Sequence, residues 1–182
     1  ISHCVLALGF EKMQKGSLPV KSCTTNPLAR HMSLMHELRG ESDAPGAAQM
    51  FGNAGREHMK LYGSEPDHYA WIGYKNHKHS VNNPYAQFQD EYTLDEIKAS
   101  KMIYEPLQLT RLQCSPTSDG SGAAIIASER FVDENNLGDQ AIEIVGQAMV
   151  TDMSSTFEDK SAASIVGAEM TSRQAARAAV SQ

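Results

Sequence analysis

Two short stretches of the chain carry no polar side chain beyond a cysteine thiol. They are Cys4-Val-Leu-Ala-Leu-Gly-Phe10 and Ala123-Ala-Ile-Ile-Ala127. Unbroken apolar runs of this length predict strands covered on both faces, as in an α/β sheet. Turn residues lead into the second run, Cys114-Ser-Pro-Thr-Ser-Asp-Gly-Ser-Gly122. There Pro116 fixes φ, and Gly120 and Gly122 open backbone angles closed to other residues. Between the runs the pattern is polar and helical. The predicted layout is therefore two core strands with a long excursion hung between them. Recognition is expected on the excursion, since binding residues gather on segments carried by a rigid scaffold.

Within the excursion, 28–38 fits a short helix after the Asn26-Pro27 turn. Ala47, Phe51, Ala54, His58 and Leu61 recur in steps of four and three, one face of a second helix that Gly63 would cap. Ser64 is the predicted N-cap of a third helix, with Pro66 and Asp67 in its first turn. On it Tyr69, Ile72, Gly73 and Asn76 share a face, and Asn82-Asn-Pro84 disfavours its continuation. Residues 85–92 are predicted extended, and Thr93-Leu-Asp-Glu96 is a capping box. Past the second apolar run, 129–136 predicts a short helix and 142–150 a third strand. Thr171 would cap a last helix rich in Ala175, Ala176, Ala178 and Ala179.

At 182 residues with 41% hydrophobic and 21% charged content, the chain has the make-up of a globular domain with a real core. A net charge of −6 argues against general nucleic-acid binding. No apolar run reaches the ~18 residues of a membrane span. Cys4, Cys23 and Cys114 are odd in number and far apart, which argues against a disulfide framework and for a reducing compartment. The chain begins in a strand pattern and stops just after a helical run, so it is expected to be a fragment of a longer polypeptide.

The candidate chemistry is thin. His77 and His79 are two residues apart, a spacing that suits neither one helical face nor a tight zinc knuckle, and Lys78 between them repels a cation. No metal site is expected. Cys114 could be a nucleophile, but activation needs a helix N-terminus or a nearby base, and a buried thiol is the plainer reading. Ser115 and its neighbours could donate hydrogen bonds to a ligand or simply form turns. Lys75, His77, Lys78 and His79 make a local basic cluster, either a ligand phosphate contact or cations complementing a helix C-terminus.

Several longer motifs occur in order: Val5-Leu-Ala-Leu-Gly-Phe-Glu-Lys-Met13, Gln49-Met-Phe-Gly-Asn-Ala-Gly55, Lys75-Asn-His-Lys-His-Ser-Val-Asn-Asn-Pro-Tyr85, Gln87-Phe-Gln-Asp-Glu-Tyr92 and Cys114-Ser-Pro-Thr-Ser-Asp-Gly120. Together they resemble the sterol-carrier-type 3-oxoacyl-CoA thiolases of the peroxisome. The resemblance implies a partial thiolase-like α/β fold. Residues 1–12 would be a strand of the first half, 13–113 an inserted loop domain, 114–140 the closing strand and helix, and 141–182 the start of the second half. It also implies peroxisomal residence, coenzyme A as co-substrate of a homodimeric parent acyltransferase, and sterol or lipid binding by a carrier domain outside this chain. Met50 would line the acyl end of the pocket, Ser115 would sit near the pantetheine amides, and Lys75 and Lys78 would meet the phosphates. The family's nucleophilic cysteine and its histidine motifs have no counterpart here, so no catalytic residue is assigned. The alternative is a non-catalytic thiolase-like protein that binds acyl-CoA or lipid.

Overall fold

A computed structural model describes residues 2–13, 27–147, 149 and 151–167. The predicted last helix and residues 14–26 lie outside the described residues. The two apolar runs form strands β1, Cys4–Glu11, and β4, Gly120–Ala127, which pair antiparallel from Cys4↔Ala127 to Glu11↔Gly120. The ribbon is pinned at both ends. Ser128 N–H donates to the His3 carbonyl at 2.9 Å, and Met13 N–H donates to Asp119 Oδ1 at 2.7 Å. The β1–β4 pairing thus brings the two ends of the intervening segment together in one neck.

Burial of these strands does not follow the prediction. Leu6 is 62% and Ile125 70% exposed, because among the described residues the ribbon has two strands and no layer over either face. The class is α/β with small sheets, not a broad covered one. Residues 142–147 form no strand, and Ile142 is 91% exposed. A strand exists only by pairing, and no described segment pairs with this one.

The excursion is built from α1, Ala29–Arg39; α2, Gly46–Tyr62; α3, Pro66–Ser80; and α4, Leu94–Ala99. A small hairpin of β2, Met102–Tyr104, and β3, Leu109–Thr110, follows them. Three short helices complete the described chain: α5, Glu129–Glu134; α6, Ser154–Glu158; and α7, Ala162–Ile165. Gly63 ends α2 at φ +67°, a left-handed angle that glycine adopts without penalty. Glu65, not Ser64, caps α3: its N–H donates to His68 Nδ1 at 2.8 Å, while the Ser64 hydroxyl bonds His58 Nδ1. Thr93 and Glu96 close the predicted box, with Glu96 N–H donating to Thr93 Oγ1 and Thr93 N–H to Glu96 Oε2.

The face that α2 buries is not its most apolar one. Phe51 and Leu61 point outward, while Ala48, Gly52, Asn53, Gly55 and Glu57 face in. Closeness decides this. A Cβ on Gly52 would sit 2.4 Å from the Tyr104 ring, and one on Gly55 2.9 Å from Leu107 Cδ2. The bare backbone lets Tyr104 and Leu107 lie against α2, and the Tyr104 hydroxyl donates to Asn53 Oδ1 at 2.7 Å.

A second cluster joins Met35 of α1 to Ala162 and Ile165 of α7, with Leu34, Leu38 and Met50 around it. Glu57 sits at its polar edge. Its carboxylate accepts from the Arg39 guanidinium, the Ser161 hydroxyl and, at 2.9 Å, the Ala162 N–H. One side chain therefore fastens α1, α2 and the first turn of α7. Burial pushes the Glu57 carboxyl up, but the bonds from Ser161, Ala162 and Arg39 outweigh it and hold the group below the usual carboxylate range.

Candidate functional site

The inward face of α3 carries Tyr69, Ile72, Gly73, Asn76, His77 and Ser80, the periodicity its sequence predicts. Opposite lie residues 86–88 and the segment from Leu109 to Pro116, and between them runs an open groove of about 470 Å³. Its floor is fixed by hydrogen bonds. Thr110 Oγ1 donates to the Ile97 carbonyl at 2.7 Å, and Thr110 N–H donates to Gln113 Oε1 at 2.8 Å. Gly73 lets the floor approach the helix, since a Cβ there would lie 3.2 Å from Gln113 Cγ.

His77 is held in place by its surroundings. Its Nε2 lies 2.8 Å from the Leu112 carbonyl, and its ring meets Tyr92 edge-on at 5.0 Å. His58 bonds Ser64 and His68 accepts from the Glu65 N–H, so each of these three histidines has a structural partner. Among the described residues no group of three or more His, Cys, Asp or Glu side chains could hold a metal ion.

Cys114 lies in the groove wall with its thiol donating to the Thr110 carbonyl at 3.4 Å. Burial pushes this thiol above its ordinary pKa, so it stays protonated near neutrality and is a poor nucleophile. The groove lining holds the His77 imidazole, the Cys114 thiol, amides, hydroxyls and apolar groups, with no carboxylate, ammonium or guanidinium. Such a surface suits a neutral chain bearing amide or acyl groups.

The four candidate binding residues are not gathered in one place. Ser115 lines the groove. Met50 packs against the Met35–Ile165 cluster. Lys75 and Lys78 are exposed on α3 outside the groove lining, and Lys78 Nζ lies 5.7 Å from the centre of the Tyr74 ring. Phe88, in the stretch predicted extended, and Leu112, which the sequence did not single out, complete the apolar wall.

Comparison with known proteins gives these features a setting. No family model matches the chain. Sterol carrier protein 2 of Rattus norvegicus is 57% identical over 178 residues, covering 97% of this chain and 32% of the relative. The chain is similar to sterol carrier protein 2 over nearly its whole length. Non-specific lipid-transfer protein-like 2 of Caenorhabditis elegans is 46% identical over 174 residues, 93% of this chain and 42% of that protein. Acetyl-CoA acetyltransferase of Methanothermobacter thermautotrophicus is 38% identical over 77 residues, 42% of this chain and 20% of that enzyme. The chain spans about a third of the length of the sterol carrier protein 2 relatives it matches.

Proposed function

We propose that the chain binds a lipid or acyl-CoA, taking a neutral, amide- or acyl-bearing segment into the groove between α3 and residues 109–116. The mostly apolar and amide-bearing lining of that groove, free of carboxylate, ammonium and guanidinium groups, carries the reading: its ~470 Å³ falls within the ~300–1,000 Å³ usual for small-molecule sites. In this reading Ser115, which lines the groove, would hydrogen-bond the ligand, and Ile72 and Phe88 would supply apolar contact. The names of the sterol carrier and lipid-transfer relatives support the same class of ligand.

Titrating the full chain with palmitoyl-CoA and with palmitate tests this. Ile72 is 53% exposed, so Ile72→Glu can fold, yet it puts a charge against the apolar wall. It is expected to weaken binding at least ~10-fold, and Ser115→Ala a few-fold. Unchanged affinity in Ile72→Glu overturns the groove assignment. Lys75→Ala/Lys78→Ala is expected to leave groove binding unaltered, and a loss specific to the CoA ester would assign the lysines to its phosphates.

A second reading rests on the likeness to acetyl-CoA acetyltransferase. In it the chain is part of a peroxisomal, sterol-carrier-type thiolase whose dimeric parent transfers acyl groups to coenzyme A, with the excursion covering the CoA ester. The protonated Cys114 thiol offers no nucleophile for that reaction. The 182-residue chain is therefore expected not to turn over a 3-oxoacyl-CoA with free coenzyme A, followed by loss of the enolate absorbance. Turnover that disappears in Cys114→Ala would make Cys114 the nucleophile.

A further inference from the structure

We propose that the outward face of α3 docks on an anionic lipid surface. At 3.6 residues per turn, positions 71, 74, 75 and 78 fall on the side of the helix away from the groove. Trp71 is 53% exposed and meets the Tyr74 ring edge-on, with centroids 5.2 Å apart. The Lys78 ammonium stands over the same ring, and Lys75 is exposed one turn from Trp71. The carboxylate sharing this face, Asp67, is held by Lys98 at 2.7 Å, so its charge is offset. The result is an indole and a phenol presented beside two ammonium groups.

That combination matches the membrane boundary. Indole and phenol rings settle where their apolar bodies meet acyl chains and their polar tips meet headgroups. Lysine stems follow the apolar surface while the ammonium reaches a headgroup phosphate. The chain as a whole is acidic at −6, but charges more than a Debye length of ~8–10 Å from the contact are screened, so the local pair of cations governs. A nucleic acid fits less well, since its affinity grows with the number of phosphates neutralised and this face offers two cations. The inference does not depend on what the groove holds.

Trp71 is the single tryptophan of the chain, so its emission reports on this face directly. The full chain is mixed with phosphatidylcholine vesicles with or without phosphatidylserine, and with vesicles whose acyl chains carry bromine. Phosphatidylserine vesicles are expected to shift Trp71 emission to the blue, and bromine to quench it. Partitioning should fall with added salt. Each lysine near an anionic surface contributes about fivefold, so Lys75→Ala/Lys78→Ala should weaken partitioning about 25-fold. Both lysines are exposed, and circular dichroism verifies that the variant folds. Three results each overturn the proposal: vesicle binding with unchanged Trp71 emission, which assigns it to another surface such as the β1–β4 ribbon; equal binding to uncharged vesicles; or a shift produced by heparin without quenching by brominated lipid.

Discussion

Glu57→Ala is expected to destabilise the chain by about 3 kcal/mol in urea unfolding at neutral pH. Removing one partner of a buried ion pair typically costs about 3–5 kcal/mol, because the remaining charge is left uncompensated. The lower end applies here, since the Arg39 side chain keeps 28% of its exposure and can recover some solvent. The same change strips an acceptor from the Ala162 N–H and the Ser161 hydroxyl, so α7 should detach before the rest melts. Hydrogen exchange at 162–165 reads that step. Glu57→Gln keeps an oxygen for the two neutral donors and should lose less.

The carboxylate also makes stability depend on acid. Its folded pKa lies below the unfolded value of about 4.3, so the unfolded chain binds the proton first. The charged contribution is complete above that value and fades as pH falls through the folded pKa. The stability gap between the native chain and Glu57→Gln should accordingly be flat near neutrality and shrink in acid. A gap that stays constant to pH values below the folded pKa would mean the ion pair contributes nothing.

Gly52→Val is expected to cost about 3 kcal/mol, at the upper end of the ~1–3 kcal/mol usual for overpacking. The added Cβ would lie 2.4 Å from the Tyr104 ring, and that ring cannot easily yield because its hydroxyl is bonded to buried Asn53. A β-branched side chain also forgoes most of the helix-propensity gain that alanine would bring at this position. Pairing Gly52→Val with Tyr104→Ala should restore part of the loss, since removing the ring frees the space. Purely additive losses in that cycle would mean that the close approach of α2 and β2 is not what glycine serves.

These two sites show where the sequence was readable. The existence of strands at 4–10 and 123–127, the caps at Gly63 and Thr93, and the groove face of α3 follow from local pattern, which acts within a turn or a strand; that the two strands pair with each other does not. The burial of α2 does not. Its apolar stripe through Phe51 and Leu61 predicts the inward face, yet the glycine stripe wins because a close approach by Tyr104 needs space more than it needs grease. Glu57 left no signal at all, because its partners at 161 and 162 are more than a hundred residues away. Of the groove, α3 was legible and the far wall was not. Residues 109–116 acquire their form from side-chain bonds such as Thr110 to Ile97, which no periodicity encodes.

The neck formed by Glu11↔Gly120 has a consequence for how such a chain can change over time. Closing a flexible loop costs only about 0.6 kcal/mol more for each doubling of its length. Because the register of β1 and β4 fixes both ends of the excursion, segments beyond the neck can lengthen, shorten or be exchanged at little cost to the strands. The helices and the groove they line can therefore drift in sequence while the ribbon that carries them keeps its pairing.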